Sequence, residues 1–209
     1  MNLKSDLIKT NMRLHIKFMI ALCLTAIIAY TQKFSTPLVN IGDPAPIIRV
    51  HSWIKGTPVN LFEKGNIYVI DVWATWCRPC IAEMPHLSAL ARKYKDRITV
   101  LGVDILERKT TTLSQIKAFV DSMGSQIDYN VIVADSGQIE NDWFNATELM
   151  HMPGAFIVDR DGRLAWMGHP CDNFEDALSK IVDNSWDINK ALAKRNMDFR
   201  LRNLEDTLR

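Results

Sequence analysis

The segment Trp73-Ala74-Thr75-Trp76-Cys77-Arg78-Pro79-Cys80 constrains the fold more than any other part of the sequence. Residues 67–73 before the cysteines are apolar or aromatic on successive positions except at Asp71, as expected for a strand that is covered on both faces. Apolar residues after the cysteines recur at helical spacing, at Ile81, Met84 and Leu87. The sequence therefore predicts a strand, a short turn and a helix that meet at the two cysteines.

Two cysteines at the start of a helix have the chemistry of a redox pair. Free backbone N–H groups favour a negative charge there, so a thiolate at Cys77 is stabilised. Cys77 is nearer the helix start and is expected to be the more exposed, so we predict that it attacks a partner disulfide; Cys80, one turn in, then attacks the mixed disulfide. Arg78 would lower the pKa of Cys77 further, unless it is only a solvated loop residue, and Pro79 fixes the turn.

Polar and aromatic residues beside the cysteines suggest further roles. Asp71 lies on the predicted buried strand, where its pKa should be raised, which would let it exchange a proton with Cys80. The alternative is a strand-end carboxylate that is satisfied by backbone donors. Trp73 is expected in the core, whereas Trp76 is expected to be exposed at the site and to contact a substrate chain.

A metal site is the main competing interpretation of a CxxC pair, and it requires a second CxxC or an HxxxH pair. Neither is present, because His51, His86, His151 and His169 are scattered. We therefore predict no metal ligands and no cofactor apart from the Cys77–Cys80 disulfide. Cys171 is expected to be free and partly buried; a resolving cysteine or a metal ligand with His169 are the alternatives.

The beginning of the chain predicts export. Residues 18–30 are apolar except for Thr25, and they follow a basic leader containing Lys4, Lys9, Arg13 and Lys17. This pattern is typical of a signal-peptide core rather than of a buried helix. Residues 26–31 offer only a poor cleavage site, so residues 1–34 are either an export signal or an uncleaved membrane anchor. Export would place the remainder in the periplasm or cell envelope, where disulfide exchange is meaningful.

The rest of the chain predicts one α/β domain at residues 35–185. Strands are expected at 98–105 and 129–134, with a late hairpin of residues 155–158 and 164–167 that makes the sheet mixed. Residues 47–50 and 58–62 suggest an N-terminal β-hairpin. The remaining predictions are a helix capped by Thr112 and Gln115, a short helix and loop over 139–150, and a helical extension at 186–209 that either docks on the domain or binds a partner. A net charge of +1 over 209 residues gives no reason to expect nucleic acid.

Two motifs carry a resemblance to a known family. Residues 71–80 closely resemble the active-site segment of the thioredoxin superfamily, and Met152-Pro153-Gly154-Ala155-Phe156-Ile157-Val158-Asp159 resembles its cis-proline segment. Residues 41–46, the export segment and the extra material between strands resemble the TlpA/ResA/DsbE branch. The resemblance implies a thioredoxin-like three-layer fold, a mixed central sheet flanked by helices, with an N-terminal β-hairpin and an insertion before the cis-proline strand. It also implies that Pro153 is cis and that Met152 pairs with a bound chain through its backbone. Members of this branch often lack an acid at the position of Asp71.

The resemblance implies an extracytoplasmic thiol-disulfide oxidoreductase that acts on thiols and disulfides of exported proteins. We favour the reducing direction, because Pro79 resembles the reductive members of the superfamily, and we expect an upstream membrane electron donor. Two alternatives remain open. The first is a thioredoxin-fold peroxidase, although this sequence lacks the PxxxT segment that such a peroxidase would have before its cysteine. The second is a non-enzymatic Cu(I) carrier, which would use Cys77, Cys80 and a histidine such as His151.

Overall fold

A computed structural model describes residues 16–17, 19–20, 37–149 and 151–208 of the chain. The chain divides into two units, Pro37–Asn196 and a second containing Met1–Thr36 and Met197–Arg209. Most of the predicted export segment lies outside the described residues. Among the residues that are described, no helix combines the length and the apolar character that crossing a bilayer requires.

Within the described residues, six strands form one mixed sheet in the order β1-β4-β3-β2-β5-β6. Strands β2, β3 and β4 are parallel, whereas β1, β5 and β6 each pair antiparallel with their neighbours. All seven residues of β2 are buried, as its apolar pattern predicts. The strands are β1 (Val50–Lys55), β2 (Ile67–Trp73), β3 (Ile98–Asp104), β4 (Asn130–Ala134), β5 (Gly154–Val158) and β6 (Leu164–Gly168).

Helices cover both faces of this sheet, so the predicted three-layer arrangement is present. One face packs against α1, α2 and α4 in an apolar cluster that includes Cys77 and Cys80. The other face packs against the helical insertion between β4 and β5 and against the beginning of α5. The helices are α1 (Arg78–Lys93), α2 (Leu113–Met123), α3 (Ser136–Ile139), α4 (Phe174–Val182) and α5 (Ile188–Leu208).

The N-terminal β-hairpin predicted from residues 47–50 and 58–62 is wrong. The strand there is β1, and it pairs with β4 at the sheet edge. The carbonyl of Ile47 accepts a hydrogen bond from the Gln138 side chain, so the first segment is held by the insertion instead. The second segment, residues 58–62, begins at Pro58, which has no N–H to donate to a neighbouring strand. Within it, the Asn60 carbonyl accepts a hydrogen bond from the Tyr68 hydroxyl instead of from a strand partner.

The predicted insertion before the cis-proline strand is present. It consists of α3 followed by a π-helix, Glu140–Asn145, and it carries the chain from β4 to β5 on the far side of β2. The Trp143 ring packs edge-on against Phe156 of β5, with 5.0 Å between ring centroids. The peptide bond between Met152 and Pro153 is cis, as the resemblance implies. The insertion therefore ends at the loop that contains this cis-proline.

The beginning of α5 holds this insertion from behind. The Arg195 guanidinium donates to the Thr147 carbonyl and, at 3.0 Å, to the Asn40 side chain. The Asn40 amide in turn donates to Asn196 at 2.9 Å, and the Val39 N–H donates to the Ala146 carbonyl. Residues near the two ends of the Pro37–Asn196 unit thus support the same helical segment.

Candidate active site

Cys77 and Cys80 form a disulfide at the N-terminus of α1, with an S–S distance of 2.03 Å and Cα atoms 5.3 Å apart. Cys77 is the N-cap residue, and its sulfur accepts a hydrogen bond from the Cys80 N–H at 3.4 Å. Pro79 lies in the first turn, where its missing N–H costs no helical hydrogen bond. The predicted strand–turn–helix junction is therefore present.

The same geometry favours a thiolate at Cys77 once the disulfide is reduced. The first turn of α1 directs backbone N–H groups towards this sulfur, and no acidic side chain lies in that turn. Arg78 and Pro79 are exposed beside it. Cys77 is 3% exposed and Cys80 is not exposed at all, so in the oxidised state only an edge of Cys77 reaches solvent. The effect of Arg78 on the pKa of Cys77 remains a prediction.

Asp71 lies on β2 beneath the cysteines. Val69 and Trp73, two residues to either side, belong to the cluster that contains Cys80, so strand alternation directs Asp71 to the same face. Asp71 is fully buried and neither carboxylate oxygen has a hydrogen-bond partner, so the alternative of satisfaction by backbone donors is wrong. Burial, with a smaller contribution from Glu83, raises its pKa to about 7. A carboxyl with that pKa can both hold and release a proton near neutral pH.

Glu83 was not singled out from the sequence. It is half-buried on α1, one turn after Cys80, and its negative charge disfavours ionisation of Asp71. The signal that could have identified it is the (i, i+3) spacing from Cys80, which places both side chains on one side of the helix. Glu83 therefore belongs to the electrostatic environment of Asp71.

Three further residues with buried polar groups lie on the same face of the sheet as Asp71, and their sequence positions alone carried no sign of this. The Trp73 indole nitrogen, the Tyr129 hydroxyl and both Asp104 oxygens lack ordinary hydrogen-bond partners. Burial and the Asp71 charge raise the pKa of Tyr129, and burial raises the pKa of Asp104 to about 8. The Trp73 ring is in the core as predicted and stacks on Phe119, with centroids 5.6 Å apart.

A groove lies beside the disulfide, with Trp76 on one wall. Trp76 is 43% exposed, as predicted, and its indole N–H donates to the Leu106 carbonyl at 2.9 Å. Met152 is half-buried on the opposite wall, before the cis-proline. The insertion supplies the remaining apolar wall through Phe144. The groove is lined by Trp76, Leu106, Glu140, Phe144, Asn145, His151 and Met152.

Cys171 is free, as predicted, but it is exposed rather than partly buried. Its sulfur lies 3.7 Å from a Glu83 carboxylate oxygen, and its N–H donates to the His169 ring at 3.1 Å. Desolvation, and after it the neighbouring negative charge of Glu83, disfavours the thiolate and raises the pKa of Cys171. Among the described residues, no group of three or more His, Cys, Asp or Glu side chains could hold a metal ion.

Comparison with known proteins agrees with this geometry. Residues 41–167 match the model of the AhpC/TSA family. The protein FixW of Rhizobium leguminosarum is 32% identical over 165 residues, which cover 77% of this chain and 73% of FixW. The thiol-disulfide oxidoreductase ResA of Bacillus anthracis is 30% identical over 159 residues, covering 73% of this chain and 85% of ResA. The thioredoxin-like protein YneN of Bacillus subtilis is 27% identical over 154 residues, covering 70% and 85%.

Solved structures share the fold. A thioredoxin-like protein in its oxidised form superposes with a TM-score of 0.56 at 19% identity, covering 71% of this chain and 98% of that protein. A putative thiol:disulfide interchange protein DsbE from Chlorobium tepidum superposes with a TM-score of 0.55 at 20% identity, covering 69% and 99%. The thioredoxin-like architecture expected from residues 71–80 and 152–159 is therefore confirmed.

Proposed function

The chain belongs to the AhpC/TSA family of thioredoxin-fold proteins and is a thiol-disulfide oxidoreductase, and from that premise we propose that it reduces disulfides in exported proteins. The observation that carries this proposal is the Cys77–Cys80 disulfide at the start of α1, with the buried Asp71 on the face beneath it. This arrangement supplies a stabilised nucleophile, a resolving thiol and a proton-holding carboxyl.

The reaction uses the reduced dithiol. The Cys77 thiolate attacks one sulfur of the substrate disulfide, and a Cys77–substrate disulfide forms while the other substrate sulfur leaves as a thiolate and takes a proton. Cys80 then transfers its proton to the Asp71 carboxylate, and its thiolate attacks the Cys77 sulfur. The second substrate thiol is released and the Cys77–Cys80 disulfide is regenerated. Two electrons have passed to the substrate, so a dithiol donor must reduce the protein before the next cycle.

The groove indicates how the substrate is held. A substrate segment that extends along Met152 would pair with its backbone as an added strand, and an apolar side chain would lie between Trp76 and Phe144. The apolar walls suit many sequences, which fits a reductase that acts on several proteins. In this proposal Met152, Pro153 and Trp76 bind substrate, while Arg78 and Pro79 tune the reactivity of Cys77.

The reducing direction, the location and the donor belong to the same proposal. Pro79 supports the reducing direction, because a proline at the second position between the two cysteines resembles the active-site sequence of the reductive members of the superfamily. The basic and apolar pattern before residue 35 supports placement outside the cytoplasm, either exported or tethered by an N-terminal anchor. A membrane-bound dithiol protein would then supply electrons.

Trapping of the mixed disulfide tests the proposal. In a Cys171→Ser background, which removes the exposed third thiol, Cys80→Ser should accumulate disulfide-linked exported proteins through Cys77. The matched variant Cys77→Ser should trap none. Trapping by Cys77→Ser alone would contradict the assigned roles of the two cysteines. Rapid peroxide turnover without Cys80, or stoichiometric copper that is lost in Cys77→Ser, would replace the proposal by one of the two alternatives.

A further inference from the structure

The loop that follows β3 holds the segment before Cys77 through several contacts. The Thr75 N–H donates to Glu107 Oε1 at 2.5 Å, and the Thr75 hydroxyl donates to Glu107 Oε2 at 2.8 Å. The Ile105 N–H donates to the Trp73 carbonyl at 3.0 Å. One carboxylate thus accepts both hydrogen bonds that Thr75 can donate, two residues before the nucleophile.

The same loop is held in a conformation that needs support. Leu106 has a φ of 55°, which lies in the left-handed region that residues with a Cβ seldom adopt. Its N–H donates to the Ser136 hydroxyl at 3.0 Å, and its carbonyl accepts the Trp76 indole N–H. The conformation of Leu106 is therefore maintained by contacts on both sides, and it brings Glu107 under Thr75.

Asp104 lies behind Glu107 at the end of β3 and is 1% exposed. Neither Asp104 oxygen has a hydrogen-bond donor as partner, and after burial it is the charge and hydrogen bonding of the Glu107 side chain that raise the pKa of Asp104. Two carboxyl groups can form a hydrogen bond only when one of them carries a proton, and two adjacent buried negative charges would repel each other. The more buried group, Asp104, is the one that retains the proton.

We propose that Glu107 is a positioning residue for Cys77, and that a proton held on Asp104 completes the hydrogen bonds that keep Glu107 in place. The series of hydrogen bonds from Asp104 through Glu107 to Thr75 then fixes the backbone that positions the Cys77 sulfur. This inference rests on the proposed disulfide exchange, and it adds two acids to a reaction that otherwise uses Asp71.

Charged groups other than Glu107 do not account for the proton that Asp104 retains. Burial and then the Glu107 charge raise the pKa of Asp104, whereas Asp71 responds to Glu83. Apart from the two cysteines of the disulfide, the titratable or charged groups on the elements that cover this face are Asp71 on β2, five residues of α1 (Arg78, Glu83, His86, Arg92 and Lys93), Lys117 and Asp121 on α2, Tyr129 before β4, and Glu175, Asp176 and Lys180 on α4. Charged pairs of these helices lie at the surface: Lys117 pairs with Asp121 within α2, Lys180 with Asp176 within α4, and His86 of α1 with Glu175 of α4.

The first test is the reactivity of Cys77 in the reduced 209-residue chain with Cys171→Ser. Glu107→Ala should slow alkylation of Cys77 by iodoacetamide on the order of tenfold, because a displaced nucleophile loses its attack geometry. Thr75→Val, which keeps the N–H bond and the fold, should slow it about threefold, the value of one lost hydrogen bond. Glu63→Gln is the matched control, since that carboxylate accepts only the Asn60 amide on a distant loop.

The second test is the Thr75 amide signal in a proton–nitrogen NMR spectrum. A charge-assisted hydrogen bond to a carboxylate predicts a downfield signal that moves upfield in Glu107→Gln. The wild-type signal should show a titration step near pH 8, where Asp104 loses its proton. Asp104→Asn cannot ionise but still donates a hydrogen bond to Glu107, so it should keep the low-pH signal and remove the step.

The outcomes separate this inference from the proposed function. Alkylation of Glu107→Ala and Thr75→Val within twofold of wild type would overturn the positioning role. A titration step that persists in Asp104→Asn would overturn the shared proton. If the wild type does not reduce a protein disulfide at all, the proposed function fails, whereas a wild type that reduces it while both variants remain equally fast contradicts only the positioning role of Glu107.

Discussion

Replacing Asp71 by Asn should make the oxidised protein more stable at neutral pH while it impairs catalysis. The ordinary pKa of this carboxyl is 3.8 and its folded value is about 7, so the folded state holds a proton that the unfolded state loses near pH 4. Unfolding therefore releases a proton between these pH values, and the free energy of unfolding falls as the pH rises. The stability that Asp71 contributes is complete below about pH 4 and is lost by about pH 7.

The size of the effect follows from the two pKa values. A difference of about three pH units at about 1.4 kcal/mol per unit gives at most about 4 kcal/mol. The side-chain amide of the Asp71→Asn variant is neutral at every pH. The variant should therefore match the wild type near pH 4 and exceed its free energy of unfolding by about 2–4 kcal/mol at pH 8. The raised pKa of Asp104 lowers the free energy of unfolding at high pH equally in the wild type and the variant, so its contribution cancels when the two proteins are compared.

Urea unfolding of both oxidised proteins at pH 4.5, 6 and 8 measures this difference. Asp121→Asn is the control, because that exposed carboxylate pairs with Lys117 on the surface of α2 and should change stability by less than about 0.5 kcal/mol at each pH. In the Asp71→Asn variant, resolution of the mixed disulfide at pH 7 should slow by about a hundredfold, since Cys80 loses its proton acceptor. A stability difference that does not change with pH, or a variant that is less stable at pH 8, would refute the reasoning.

Three further substitutions test the groove, the third cysteine and the packing beneath the site. Trp76→Ala should weaken exchange with a protein disulfide about tenfold while reduction of the protein by dithiothreitol changes less than twofold, because the indole is 43% exposed on the groove wall; equal losses in both assays would contradict this. Cys171→Ser should leave turnover of a protein disulfide within about twofold of wild type, because the Cys171 pKa is raised and its thiol is a poor nucleophile at neutral pH. Gly102→Ala should lower the free energy of unfolding by about 1–3 kcal/mol, since its Cβ would lie 3.0 Å from the Tyr129 ring and 3.2 Å from the Trp73 indole; unchanged thermal unfolding would show that these rings move freely.

The parts of the molecule that could be predicted from sequence are those determined by neighbouring residues. The strand over Ile67–Trp73 and the helix beginning after Cys77 each follow from a local pattern. The capping box of Thr112 and Gln115 has both of its hydrogen bonds. The role of Asp71 could be suggested in advance because burial on a covered strand has one electrostatic consequence, a raised pKa.

The parts that could not be predicted depend on residues distant in sequence. The expected hairpin failed because Ile47 bonds to Gln138, 91 residues away, and its pattern of apolar residues carried no sign of that competition. Glu107 is unremarkable in the sequence until Thr75, 32 residues earlier, is placed above it. Phe144 lies in the groove because the insertion between β4 and β5 runs across the sheet face opposite to α1, which no local sequence pattern indicates.

The hydrogen bonds from Arg195 to Thr147 and Asn40 have a consequence for how the chain can be shortened. Residues beyond 185 resemble a removable extension in sequence, yet the first turns of α5 support the segment that carries Phe144 and leads to Met152. Removal of α5 would leave the disulfide and Asp71 in place but would release the outer wall of the groove. A truncated protein should therefore still react with small thiols while its exchange with protein disulfides becomes weaker, because α5 would support the substrate groove without contacting the two sulfur atoms.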